Sequence, residues 1–316
     1  MKERILIIGS LNMDMVIEMK RMPLKGETVL GNTLTYVPGG KGANQAYTSG
    51  KLGGAVVMLG CVGTDSLGEK LIGNIARSGT DASHIRRVEE EPTGTAVIYV
   101  DEEGDNSIVV VSGANGACDV EYLKENHSLF EESAYVMFQM EIPYEAIFYG
   151  IRKAKELGKT VVLNPAPAPD TLPEDIWESI DYLTPNETEV LKMSGQREMS
   201  MEGIKRGARC LLQKGVKNIL VTLGDKGVLF INDKEEVLYP ARSVEALDTT
   251  AAGDCFNGAF VAGLAEGMSV EEAITFANLA SSVAVTRKGA QSSIPDREEV
   301  DELVKENCNV DKGGRL

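Results

Sequence analysis

Residues 4–9 read RILIIG, four aliphatic side chains in a row closed by a glycine. A strand with one wet face alternates apolar and polar residues. A run that is apolar at every position suits a strand covered on both faces, as in a parallel sheet. The signature returns in VVMLGCVG (56–63), AYVMFQM (134–140), TVVLNP (160–165), DYLTP (181–185) and NILVTLG (218–224). Amphipathic or alanine-rich stretches of helical length lie between them, at 66–78, 143–157 and 200–213. Strand alternating with helix predicts an α/β fold, a doubly wound and mainly parallel sheet with helices on both faces. The last third turns helical, at 254–266, 270–286 and about 296–306.

Two segments interrupt the alternation. Residues 12–37 hold β-prone pieces around the turn PLKGE, and 94–112, GTAVIYVDEEGDNSIVVVS, reads as a hairpin about an acidic, glycine-containing turn. Strands without helices do not extend a doubly wound sheet easily. They are expected to form a small separate sheet, a candidate lid on a single domain spanning 1–316.

Composition narrows the function. Lys+Arg 32 against Asp+Glu 48 gives a net charge of −16, which argues against nucleic acid or an anionic membrane as partner. An anionic substrate must then be attracted locally, by helix N-termini, a lysine or a metal. Five scattered cysteines without C-x-x-C suggest reduced thiols and a cytoplasmic location, and two histidines without H-E-x-x-H make a zinc site unexpected. The N-terminal apolar run is too short for a signal peptide, and nothing approaches a membrane span.

Several short stretches carry candidate chemistry. GGKGANQA (39–46) sets glycines around Lys41 before a helix, either a plain turn or a backbone cradle for a ligand. The spacing of a P-loop is absent there, and the GKT at 158–160 is a helix end running into a strand. In NETE (186–189), Asn186 and Glu189 fit a capping box, or polar groups that organise Mg²⁺ and phosphate. TLGDKG (222–227) is a hairpin turn or a surface for a nucleotide. In DTTAAGD (248–254), Asp254 sits where loop becomes helix, as an N-cap or as a catalytic carboxylate.

The order of these motifs decides between such pairs. GSLNMD (9–14), GGKGAN (39–44), QME (139–141), NPAPA (164–168), TPNETE (184–189), TLGDKG (222–227), DTTAAGD (248–254) and VTRKGAQSSIP (285–295) resemble, in this order and over the whole chain, the ribokinase-like carbohydrate kinases. The resemblance implies ATP-dependent phosphorylation of D-ribose at its 5-hydroxyl, or of 2-deoxyribose or another small sugar by a relative of the same fold. It implies that the sugar is held by Asn12, Met13 and Asp14, by Gly40, Lys41, Gly42, Ala43 and Asn44, and by Glu141. Asp254 is implied as general base, with Ala251, Ala252, Gly253 and Asp254 offering backbone N–H groups to the phosphoryl group. ATP would contact Asn186, Thr222, Leu223, Gly224, Asp225, Lys226, Gly227, Gly253, Asp254 and Asn278. K⁺ would bind near Asp248, Thr250, Ala284, Arg287, Gly289 and Ser293, and Mg²⁺ would be steered indirectly by Glu189. A homodimer through the lid is also implied. Cys255 stands where a threonine is more usual, and a thiol in the first turn of a helix is either a small packed group or an activated one.

Overall fold

The computed structural model of the protein describes residues 2–313. Along the chain run β1 (Arg4–Ile8), β2 (Asn12–Met19), β3 (Gly31–Gly39), α1 (Lys41–Lys51), β4 (Ala55–Leu59), β5 (Cys61–Gly63), α2 (Ser66–Arg77) and β6 (Arg86–Val88). There follow β7 (Gly94–Val100), β8 (Asn106–Val111), α3 (Val120–Glu125), α4 (His127–Glu132), β9 (Tyr135–Phe138), α5 (Tyr144–Glu156), β10 (Thr160–Leu163), α6 (Glu174–Trp177) and β11 (Tyr182–Leu183). The chain continues with α7 (Glu187–Ser194), α8 (Met201–Gln213), β12 (Asn218–Thr222), β13 (Val228–Asn232), β14 (Glu236–Tyr239), α9 (Ala252–Ala265), α10 (Val270–Ala284) and α11 (Arg297–Gly313).

Eight strands make the central sheet, in the order β14-β13-β12-β11-β10-β9-β1-β4. It is parallel from β4 to β12, and β13 and β14 add an antiparallel hairpin at one edge. The α/β architecture is the one expected. The hairpin turn that TLGDKG offered as one reading is present: VLFIN (228–232) continues the chain from NILVT without a helix, because a short 3-10 turn at Gly224–Lys226 folds it straight back. Each residue of β1 from Ile5 to Ile8 is fully buried, with Leu6 and Ile8 in the core on one side of the sheet and Ile5 and Ile7 in that on the other. Burial of one such side chain contributes about 1.5–3 kcal/mol, so these strands hold the sheet at the centre of the molecule.

Two features position the site. From β1 the chain goes to β4 on one side and later to β9 on the other, so the sequence order reverses at the β1/β9 boundary. In open α/β sheets ligands bind beyond the carboxyl ends of the strands at such a reversal. Helix α9, buried nearly all round, lies against α1 and α10. A Cβ on Gly258 would come within 2.6 Å of the Gln45 carbonyl and 2.7 Å of Thr48 Cβ. That glycine lets α1 and α9 touch, with Ser49 Oγ donating to the Gly258 carbonyl at 2.8 Å.

The interrupting segments form a separate four-stranded sheet, β3-β2-β7-β8. Every residue of β8 is exposed, Ile108, Val109, Val110 and Val111 among them. No helix among the described residues is long and apolar enough to cross a membrane. Cys61, Cys118, Cys210 and Cys255 are free thiols, and the side chain of Cys308 lies outside the described residues.

Candidate active site

The end of β1 (Gly9, Ser10) and the end of β9 (Gln139–Glu141) flank the reversal point. Ser10 Oγ donates to Glu141 Oε2 at 2.6 Å, and the Lys41 backbone N–H donates to the same oxygen at 3.1 Å. The Glu141 carboxylate is thus fixed at the N-terminus of α1, where free N–H groups favour an anion. The turn into α1 needs Gly40, whose φ is 88° and whose Cβ, if present, would lie 2.7 Å from the Asn12 nitrogen. Asn12 is buried, and its Oδ1 accepts from Asn115 Nδ2 at 2.8 Å. Asn115 also accepts from the Leu11 N–H and donates to the Leu11 carbonyl. With Oδ1 taken, Asn12 has its NH₂ left for a ligand.

Asp14 is two residues along β2, on the same face of the strand as Asn12. Burial, with Glu141 and Asp254 nearby, pushes its carboxyl up to about 7, against the pull of Lys41. Lys41 stands in the field of Asp254, Glu141, Glu189 and Asp14, and these, Asp254 foremost, raise its pKa despite burial. One ammonium therefore serves four carboxyl groups. The side chains of this end suit a neutral ligand rich in hydroxyls, and a phosphate has to be met by backbone donors.

Those donors lie at the start of α9. Asp254 is the third residue of this helix and not its cap: the cap position is Ala251, and no side chain caps it. The expectation of an N-cap aspartate is corrected, because the Asp254 side chain turns away from its own helix end. Its Oδ2 accepts from Asn44 Nδ2 at 3.0 Å and its Oδ1 from Gln45 Nε2 at 2.9 Å. Ala251 has φ 58°, the one positive φ outside glycine among the described residues, a conformation that costs about 1–3 kcal/mol and recurs at functional sites. Of the four N–H groups expected to face phosphate, that of Ala252 is turned onto the Thr249 carbonyl at 3.2 Å. Those of Ala251, Gly253 and Asp254 have no acceptor among the described residues. A Cβ on Gly253 would meet no atom within 4 Å, so the space over the helix start is open.

The segments expected at the nucleotide also come together. Asn186 bridges Thr222, and the Thr222 N–H donates to the Pro185 carbonyl at 3.0 Å. Asn186 and Glu189 form the capping box, with Glu189 Oε2 accepting from the Asn186 N–H at 2.8 Å. Burial raises the Glu189 pKa, opposed by that bond and by Lys41. The Leu223 N–H closes onto the Gly227 carbonyl at 2.8 Å, so residues 222–227 are a tight turn. Its Asp225 and Lys226 are exposed, and Lys226 Nζ lies 3.9 Å from Glu187. Asn278 Nδ2 reaches the Tyr239 carbonyl at 3.4 Å, beside that turn.

Asp248 ties two loops. Its Oδ1 accepts from the Thr250 N–H at 2.9 Å and its Oδ2 from the Gly289 N–H at 2.8 Å. Burial works to raise its pKa, but these bonds outweigh it and hold the carboxyl below the ordinary value. Ala284 closes α10, and Gly289 and Ser293 lie along the second loop, whose Val285 carbonyl accepts from the Leu247 and Asp248 N–H groups. The Arg287 guanidinium is turned away onto Glu299 at 2.5 Å, so only its backbone is left to serve that loop.

Sequence reading assigned no role to Ser10, Gln45, Asn115, Gln139, Asn164 or Gln291. Gln45 is fully buried, accepts from Gln139 Nε2 at 2.6 Å and donates to Asn164 Oδ1 at 3.1 Å as well as to Asp254. Most of these residues lie inside quoted motifs, and polar side chains among glycines and apolar residues were the available signal. Cys255 is fully buried, and burial pushes its thiol up to about 12. It is the packed group, and the idea of an activated thiol is corrected: desolvation exceeds any help from the helix start.

Comparison with known proteins matches residues 2–297 to the model described as "pfkB family carbohydrate kinase". The ribokinase of Haemophilus influenzae is 38% identical over 304 residues, covering 96% of this chain and 99% of its own. A deoxyribokinase of Salmonella typhimurium is 35% identical over 303 residues, with 96% and 99% covered. Among solved structures, that of Arabidopsis thaliana ribokinase complexed with ribose and ATP superposes with a TM-score of 0.91 at 34% identity, covering 96% of this chain and 99% of that one.

Proposed function

Since the chain belongs to the pfkB family of carbohydrate kinases, we propose that it transfers the γ-phosphoryl group of ATP to the 5-hydroxyl of D-ribose. The observation that carries this is the Asp254 carboxylate, held on both oxygens by amide donors beside the open, N–H-lined start of α9.

In this reading Asp254 accepts the proton of the 5-hydroxyl as its oxygen attacks the γ-phosphorus, and ADP departs with the bridging oxygen. The N–H groups of Ala251, Gly253 and Asp254 meet the charge on the phosphoryl oxygens, and they cost no reorganisation because Ala251 is already in the conformation that presents them. Asn12 donates to the sugar, Asp14 and Glu141 accept from it, and Lys41 balances the carboxylates. Asn186, Asn278 and the 222–227 turn line the bed for the nucleotide. Mg²⁺, arriving with ATP, would neutralise phosphate charge, with Glu189 steering its waters. Asp248, already ionised between two loops, fits a large monovalent cation. No three His, Cys, Asp or Glu side chains converge on a metal among the described residues, so the remaining ligands of K⁺ would be carbonyls near Thr250, Ala284, Arg287, Gly289 and Ser293. The β2-β3-β7-β8 sheet acts as the lid of a single domain, and its exposed apolar strand β8 supports a homodimer through it. Free thiols are compatible with a cytoplasmic location.

The likeness to a deoxyribokinase gives 2-deoxy-D-ribose as the second reading, and a direct comparison of the sugars separates them. A missing 2-hydroxyl strands part of the Asn12/Asp14 pair, which costs about 1–3 kcal/mol. D-Ribose should therefore exceed 2-deoxy-D-ribose by about tenfold or more in kcat/KM, and Asn12→Ala should narrow the gap. Equal use of both sugars by the wild-type protein would sink the assignment of the pair.

A further inference from the structure

The Asn44 amide that holds Asp254 is itself held. Gln291 Nε2 donates to Asn44 Oδ1 at 3.0 Å, Asn74 Nδ2 donates to Gln291 Oε1, and Arg77 Nη2 donates to Asn74 Oδ1 at 2.7 Å. A guanidinium can only donate and an ionised carboxylate can only accept, so the two ends fix which way each amide points. Every link runs the same way, from a surface cation to the buried carboxylate. Aligned hydrogen bonds polarise one another, and in a low-dielectric interior such a chain is stronger than its separate links.

We propose that Gln291 and Asn74 are positioning residues for phosphoryl transfer, two links of an amide chain that sets Asn44 and, through it, the carboxylate of Asp254. The proposal rests on reading Asp254 as the base. Gln291 is nearly fully buried, sits in the Gln291–Ser293 turn and bonds Asn44, one of the residues expected at the sugar. Asn74 stands farther out, half-buried on α2. Neither bonds Asp254. If Gln291 stops donating, Asn44 is free to rotate and to present its oxygen to the carboxylate, and the base loses its Oδ2 donor. The second chain, Gln139 to Gln45 to Asp254 Oδ1, is untouched by this change and keeps the residue in place. The defect should therefore be one of orientation at the reacting oxygen, felt in turnover and not in nucleotide binding.

The test is a set of steady-state measurements on Gln291→Met, Asn74→Ala, the double variant and Asp254→Asn. Gln291→Met should lower kcat by about tenfold and Asn74→Ala by about threefold, with KM for ATP unchanged in both. The double variant should be no slower than Gln291→Met, because a chain already cut at Gln291 has nothing to gain from Asn74. A purely structural role predicts a lower melting temperature with kcat of the folded variants unchanged. Multiplied losses, or wild-type kcat in Gln291→Met, overturn the proposal. Should Gln291→Met fail to fold, Asn74→Ala stands alone, and unchanged kcat there overturns it equally. Wild-type turnover in Asp254→Asn would overturn the base assignment instead, so the two failures are distinguishable.

Discussion

Asp254 is the residue on which the proposed chemistry turns. Asp254→Asn places an NH₂ against the NH₂ of Asn44 or Gln45, so the variant loses stability, by about 1–3 kcal/mol, as well as its base. Turnover should fall by about 100-fold or more with ATP affinity little changed, read by initial rates and nucleotide titration. Asp14 gives a pH dependence whose sign is fixed. Its folded pKa, about 7, lies above the ordinary 3.8, so the folded state binds the proton more tightly. The stabilisation this gives is complete below the ordinary value and is lost as pH rises through about 7. The melting temperature of the sugar-free protein should therefore drop between pH 5.5 and pH 8 by more than that of Asp14→Asn. Identical pH profiles for the two proteins would contradict the perturbed carboxyl. The acids were legible in the sequence because motif order marked Asp14, Glu141 and Asp254. The residues that hold the site were not: Gln45, Asn115 and Gln291 act through side chains whose partners lie 94 to 247 residues away, and local pattern carries no such information.

At the scale of elements, the joint between α1 and α9 fixes the site. Gly258→Val would drive a side chain into the Gln45 carbonyl and Thr48. Overpacking of this kind costs about 1–3 kcal/mol, and here it also moves Gln45 off Asp254. The variant should melt lower and lose kcat, and thermal unfolding beside initial rates measures both; an unchanged kcat would mean that the helix joint does not set the base. The Asp248 loop should make activity rise with K⁺ and respond poorly to Na⁺ at equal ionic strength. Equal rates in the two salts would count against a cation at that carboxylate. The longer helices and the buried strands of the central sheet were legible from pattern, RILIIG most clearly, whereas the short helices α3, α4 and α6 were not. The reversal between β12 and β13 was legible only as one of two readings of TLGDKG, because VLFIN is as apolar as a parallel strand and only the Gly224–Lys226 turn tells that the chain reverses.

For the whole molecule, the eight-stranded sheet is the buried scaffold, and the four-stranded sheet, proposed as a lid, is set apart from it, as is the small β5-β6 pair. Cross-strand register puts Asp14, Ala96 and Val110 on one face of the small sheet, with Ile98 opposite Ile108 on that face. Ile108 and Val110 are more than half exposed, at 56% and 54%, and an apolar strand edge left open invites pairing with another chain. In a dimer formed through this sheet, replacing both Ile108 and Val110 by lysine should give monomers in sedimentation and raise KM for the sugar; an unchanged sedimentation coefficient would contradict a dimer through this face. The separate small sheet was legible because 12–37 and 94–112 lack helices, whereas how it sits on the central sheet depends on packing that no local stretch encodes. Phosphoryl transfer to the sugar is tested most directly by incubation with Mg-ATP and D-ribose, the product identified by ³¹P NMR, for wild type and Asp254→Asn in parallel. The wild type should give D-ribose 5-phosphate, and the variant the same product at a rate lower by about 100-fold or more. Absence of sugar phosphate with the wild type, or comparable rates from the two proteins, would contradict the assignment.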